Sequence, residues 1–443
     1  MKTQFFLTFL LITSGLSVAF GQPVFQPFEV HKLCQPQGGY ELLNTFIQAN
    51  LRIPFRAEAE QISGRVFVQG VVGTDGRISS LTVVRGLRPD CDREALRAFG
   101  LFHAWRPAEK DSQKVAQVVT QAITFKPAMP VYYRDGQRLA FFDQAVTQKA
   151  ETDTSVVYKQ VIPADTNGYP TGDMVFYERK KDRWREKLNY KFASETNSYS
   201  LDIEDTTFVG KTFRRLMHRS PSLDWQGDVY AFYPNGSLAR IQQFDGDKLV
   251  GTAKTYYPNG AIARLTTYNQ GLQVELFWYP NGQLWKEETQ LSGNPAFSKS
   301  GMEGPKRELI NWWDSTGHQG VKDGAGRATL QSFVKSNQSN RYTVFAEQGS
   351  IANGEKTGIW TGRYADGSYF YREEYAGGIC IGGKAQEAGS DTIRYDKERV
   401  QPEYIGGMSK LGQFLAMNIR YPIDAMRNRA QGRVFIKIGR AHV

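Results

Sequence analysis

The feature that most constrains this chain of 443 residues is a pattern written twice. Gly38-Gly39-Tyr40…Leu43…Phe46…Asn50-Leu51-Arg52-Ile53-Pro54…Ala57…Gly64-Arg65-Val66-Phe67 returns as Gly406-Gly407-Met408…Leu411…Phe414…Asn418-Ile419-Arg420-Tyr421-Pro422…Ala425…Gly432-Arg433-Val434-Phe435. Twelve of 31 aligned positions are identical without a gap, and Ile47/Leu415, Leu51/Ile419 and Val68/Ile436 are close exchanges. One domain type is therefore expected twice, at 38–127 and from 401 to 437. The second copy stops soon after the shared pattern. It lacks a hairpin partner, a second long helix and a last strand, and half a small domain buries too little surface to fold alone. Residues 438–443 break the strand pattern and match, in one frame, the translation of a sequencing adapter. They are expected to be an artefact.

The first copy reads as an α+β unit, a small antiparallel sheet with helices. Leu42, Leu43, Phe46 and Ile47 recur at helical spacing. Pro54 starts a second short helix, since its missing N–H falls where a helix has no acceptor for it. Val66, Val68 and Val71-Val72 alternate as a half-buried strand, Thr74-Asp75-Gly76-Arg77 is a hairpin turn, and Ile78, Leu81 and Val83-Val84 form the partner strand. Asp90 or Asp92 is placed to cap a helix carrying Leu96, Phe99 and Phe102. Trp105-Arg106-Pro107 closes that helix, and Val115 to Phe125 is the last strand.

A second repeat fills the middle, 128–385. Phe232-Tyr233-Pro234-Asn235-Gly236, Tyr256-Tyr257-Pro258-Asn259-Gly260 and Trp278-Tyr279-Pro280-Asn281-Gly282 share one register. Pro presets φ and Gly accepts φ > 0, so each unit is a hairpin turn. One hairpin cannot bury its own face, and the region is expected to be mostly β, built of stacked hairpins. Tyr364-Ala365-Asp366-Gly367 reads as a decayed turn, and Tyr132-Tyr133-Arg134-Asp135-Gly136 as an early one. Phe232, Tyr256 and Trp278 are expected to form the stacking core, with the cations Arg240, Arg264 and Lys286 facing water. The competing reading is a polymer or lipid-headgroup surface. The polar stretches near 145–175 and 286–330 read as loops or linkers.

Residues 1–21 have the form of a secretory signal peptide: Lys2, an apolar run from Phe5 to Phe20, and Ala19-Phe20-Gly21 as a small-residue cleavage site. The run is short for a membrane anchor. A periplasmic protein is expected. In an oxidising compartment Cys34 and Cys91 could pair, although sequence alone cannot establish it. The net charge of +10 suits an anionic envelope polymer as partner, or a basic solvated surface with none. Nothing points to nucleic acid.

Catalytic signals are weak. Gly378-Ile379-Cys380-Ile381-Gly382-Gly383-Lys384 fills the first seven positions of a phosphate-binding loop, but Ala385 stands where Ser or Thr should hold magnesium. Gly324-Ala325-Gly326 is weaker. The five histidines are scattered, and Asp202, Glu204 and Asp205 read as an acidic edge. No enzyme, cofactor or metal site is expected.

Taken in order, the Gly-Arg-Val-x-Val strand, the Asp-Gly turn, Val83-Val84-Arg85, Asp92-x-x-Ala95-Leu96, Trp105-x-Pro107 and Ile123-Thr124-Phe125 resemble the C-terminal domain of TonB. Ile53-Pro54 departs from the usual Tyr-Pro, which the second copy has at Tyr421-Pro422. The Tyr-Pro-Asn-Gly units resemble MORN repeats. The first resemblance implies a domain that adds a strand of an outer-membrane transporter, or another envelope protein, to its sheet edge. Here that edge is expected at Ala122, Ile123, Thr124 and Phe125. It also implies a role in energy transduction across the envelope, with a periplasmic scaffold free of energy coupling as the alternative.

Overall fold

The computed structural model describes residues 23–127, 130–198, 212–269, 271–291, 307–339, 341–396 and 407–418. The signal-peptide residues, the 202–205 carboxylates, residues 438–443 and most of the second copy lie outside them.

The first domain begins with strand β1 (Val24–Phe25) and strand β2 (Gln35–Pro36), followed by helix α1 (Gly39–Asn50) and helix α2 (Phe55–Ala59). Strands β3 (Gly64–Val72) and β4 (Ile78–Arg85) lead into helix α3 (Pro89–Gly100). Short strands β5 (Trp105–Arg106) and β6 (Ala108–Lys110) precede the long β7 (Gln113–Phe125). The sheet order is β1-β7-β3-β4, with β6 also on β7 and β2 paired with β5. Period-two alternation buries Val66, Val68 and Val72 of β3 against the helices, while Leu43, Phe46 and Ile47 of α1 are buried at helical spacing. Pro54 sits at the N-cap of α2 with φ −57. At α3 the expected cap differs. Arg88 is the N-cap and Pro89 occupies the first turn, so Asp90 and Asp92 lie inside the helix, and Asp92 Oδ1 instead accepts the Leu87 N–H at 2.9 Å.

From Tyr132–Arg134 to Ile393–Tyr395 the chain is a meander in which nearly every strand pairs antiparallel with its sequence neighbour. The Pro-Asn-Gly turns all close alike. The Tyr233 N–H donates to Ser237 O and the Gly236 N–H to Tyr233 O, and the same pair of bonds recurs at Tyr257 and at Tyr279. The Asn235, Asn259 and Asn281 carboxamides each accept the N–H two residues on, at 3.0–3.1 Å. Each turn tyrosine then reaches the next unit. Tyr233 donates to Tyr256 O (2.6 Å), Tyr257 to Trp278 O (2.7 Å) and Tyr279 to Trp313 O (3.2 Å).

That last bond exposes a unit the sequence reading placed in a linker. Arg307–Trp313 is a strand, and Asp314 to Gly317 makes the same turn without Pro or Asn. Asp314 Oδ1 accepts from Thr316 and His318, doing the carboxamide's work. The two supposed loop regions also hold strands, including Tyr158–Pro163 and Ala325–Lys335. The turns at Tyr132–Gly136 and Tyr364–Gly367 are both present.

The first domain and the hairpins are not separate beads. Phe232, Tyr256, Trp278, Leu238, Ile262 and Leu284 of the hairpins join Phe46, Phe99 and Phe102 of the first domain in one core. A second core lies further along, around Trp312, Trp360, Tyr371 and Tyr375. Helix α4 (Gly407–Asn418) spans the residues that align in sequence with α1, and its Asn418 Nδ2 donates to Phe414 O as Asn50 Nδ2 does to Phe46 O.

Candidate functional site

The sheet edge comes first. Along β7, Gly64 to Val72 of β3 pair with Phe125 to Gln117 on one side. On the other side β1 adds in parallel at Ala116 and Gln117, and β6 pairs at 113–115. Among the described residues, 118–125 therefore have a strand on the β3 side alone. Of the expected site residues, Ile123 and Phe125 point into the core with no exposed surface. Ala122 and Thr124 lie on the other face, half-buried and exposed respectively. What the strand can offer a partner is its backbone.

Three backbone carbonyls on this strand are already met, each by a glutamine. Gln117 Nε2 donates to Val118 O (3.3 Å), Gln121 Nε2 to Ala122 O (3.0 Å) and Gln48 Nε2 of α1 to Thr124 O (3.5 Å). Residues 118, 122 and 124 are alternate positions, so their carbonyls point to the same side. Asn44 of α1 holds Gln121 from above at 3.0 Å. Side-chain amides thus stand where a neighbouring strand's N–H groups would. These glutamines carry no motif, and sequence reasoning missed them.

The seam between domain and hairpins is the second feature. Buried Asn50 accepts the Ile262 N–H at 2.8 Å through Oδ1, while its Nδ2 satisfies Phe46 O at 2.9 Å. The His103 N–H donates to Asn281 O at 2.8 Å. Gly282, at φ 91, lies so close to Phe46 and Phe102 that a Cβ there would meet them at 2.9–3.0 Å. The guanidinium of Arg52 stacks 4.6 Å over the Tyr256 ring. The Pro-Asn-Gly turns thus hold the domain in place as well as reversing the chain.

Other expected sites resolve differently. Cys34 and Cys91 are buried free thiols and do not pair. Cys34 lies in the segment whose N–H donates to Gln117, Cys91 in the first turn of α3, and burial pushes each up to about 11. The Gly378–Lys384 segment is a hairpin turn running into strand Ile379–Glu387, with no helix to follow the glycines. His103 is half-buried, and burial holds its imidazole low. The repeat cations do not simply face water. Lys286 is tied to Glu288 at 2.7 Å and covers Phe277 and Trp285 at 4.4 and 4.6 Å, and Arg264 lies 3.7 Å from Glu275. Glu275 comes from the strand paired with that of Arg264, which opposes the two without any local sequence signal, whereas Glu288 follows Lys286 by two residues on one strand. Among the described residues no group of three or more His, Cys, Asp and Glu is placed to hold a metal, and no helix is long and apolar enough to cross a membrane.

The comparisons with known proteins divide the chain in the same way. Residues 49–127 match the family described as Gram-negative bacterial TonB protein C-terminal. Residues 249–270 and 274–290 match the MORN repeat variant. No curated protein matches the chain. The chain therefore carries a TonB C-terminal domain joined to MORN repeats.

Proposed function

We propose that this is a TonB-like periplasmic protein that binds an extended segment of an outer-membrane transporter, or of another envelope protein, along the edge of β7. The observation that carries the reading is the glutamine-capped row at Val118, Ala122 and Thr124. An arriving strand replaces each side-chain amide with a backbone N–H, so the exchange leaves no carbonyl unpaired. The chain's own Val24–Phe25, already added in parallel at the neighbouring positions, supports it.

A photo-crosslinking residue placed at the exposed Thr120 or Thr124, in cells, tests this against the same residue at Ser79 or Thr82 on the opposite edge strand β4. Discrete adducts with an envelope protein from β7 positions alone are expected. Equal adducts from both edges would overturn the reading.

A second reading, binding without energy coupling, is favoured by the shared core, which ties the domain to the hairpins instead of leaving it on a loose spacer. Dissipating the proton gradient separates the two. Coupled binding loses its adducts, and a scaffold keeps them.

A further inference from the structure

A cleft of about 1020 Å³ opens between α2, the start of α3 and the hairpin sheet. It is at the upper end of the size of small-molecule sites. Six arginines and four carboxylates line it, a cationic excess of two. Three pairs neutralise one another: Arg88 with Asp90 at 3.0 Å, Arg97 with Glu94 at 2.7 Å, and Arg138 across the cleft with Asp228 at 3.5 Å. That leaves Arg52, Arg56 and Arg93 against Glu58 alone.

These three are the informative groups. Arg56 and Arg93 are exposed and form no ion pair among the described residues. Arg52 is held over Tyr256, and its buried Nε has no hydrogen-bond partner. A guanidinium is a planar fork matched to carboxylate and phosphate oxygens, and low-dielectric walls concentrate its field. Phe55 and Tyr169 supply ring surface in the same lining. Nearby, burial holds the Lys254 ammonium low, and Arg52 adds to the effect. Charge, space and apolar wall coincide in one place.

We propose that this cleft binds a small ligand with at least two anionic groups, carboxylate or phosphate, held by Arg52, Arg56 and Arg93, its uncharged part against Phe55 and Tyr169. None of these residues belongs to the β7 edge, so the site can stand or fall independently of the strand-addition reading.

The test is calorimetric titration of the full chain with succinate, with inorganic pyrophosphate, and with acetate as the singly charged control. Binding of a dianion that weakens with added salt, with acetate much weaker, is expected. Succinate alone would identify a carboxylate site, pyrophosphate alone a phosphate site, and both a general oxyanion site. R56Q and R93Q, at exposed positions where folding is not at stake, should each weaken binding at least about tenfold. R93K should recover part of the loss and K181Q, on a distant hairpin, should change nothing. No dianion binding, or binding unchanged in the R56Q/R93Q double variant, would overturn the proposal.

Discussion

The hairpins of Thr212–Leu291 and those of Arg307–Tyr395 use the same rung and finish it differently. In the first set, Phe232, Tyr256 and Trp278 precede each turn tyrosine and are buried against helices of another domain. In the second, the core is closed mainly from within, by Trp360, Tyr371 and Tyr375, with Trp285 of the first set at its near end. The second set also pairs carboxylates within itself. Glu347 there is satisfied by the Tyr371 hydroxyl at 2.6 Å and Lys356 at 2.7 Å, and Glu373 by Tyr375 and Tyr395 at 2.7 and 2.6 Å. A stacked hairpin supplies a face, and what covers that face decides whether the repeat is a spacer or part of a neighbouring domain.

The largest test of that contrast is a pair of substitutions. Trp278→Ala and Trp360→Ala should each cost about 3–5 kcal/mol by denaturant unfolding, as large cavities do. Only the first should also speed hydrogen exchange in β3. If Trp360→Ala loosens β3 equally, the two cores act as one and the comparison fails. Next in size, Asn50→Ala leaves the Ile262 N–H buried without its acceptor and should cost about 1–3 kcal/mol. Tyr257→Phe removes a single bridging bond to Trp278 O, for about 0.5–1.5 kcal/mol.

The smallest effect is a pH dependence. His218 is buried with Nε2 3.0 Å from Gly172 O, and burial holds its imidazole below the ordinary 6.5. The unfolded chain then takes up a proton that the folded chain refuses. Stability is fully present above about pH 6.5 and is lost as pH falls through the lowered folded value. His218→Gln should flatten the pH dependence across that window, so that the wild-type-minus-variant difference shrinks as pH falls, read from unfolding midpoints at several pH values.

Much of the fold was legible because it is local. Apolar spacing placed α1, turn chemistry placed the Pro-Asn-Gly hairpins, and Pro54 marked α2. Trp312-Trp313-Asp314 was missed because an Asp side chain replaced the Pro-Asn signal the reading relied on. The seam was invisible for another reason. Asn50 and Ile262 are 212 positions apart, and no periodicity reports such a partner. For the binding edge, the strand was found but not its guards. Gln48, Gln117 and Gln121 are ordinary residues until the strand brings their amides to its own carbonyls. The cleft arginines likewise come from separate segments, each unremarkable alone.

The central claim is that the first domain and the hairpins of Thr212–Leu291 form one cooperative body, and residue-resolved hydrogen exchange on the intact chain tests it most directly. The two amides that cross the seam, of Ile262 and His103, should exchange as slowly as those of β3, through the opening that unfolds this body as a whole. Exchange at these two amides at the rate of exposed loops, with β3 still protected, would show a seam that opens on its own and would contradict the account.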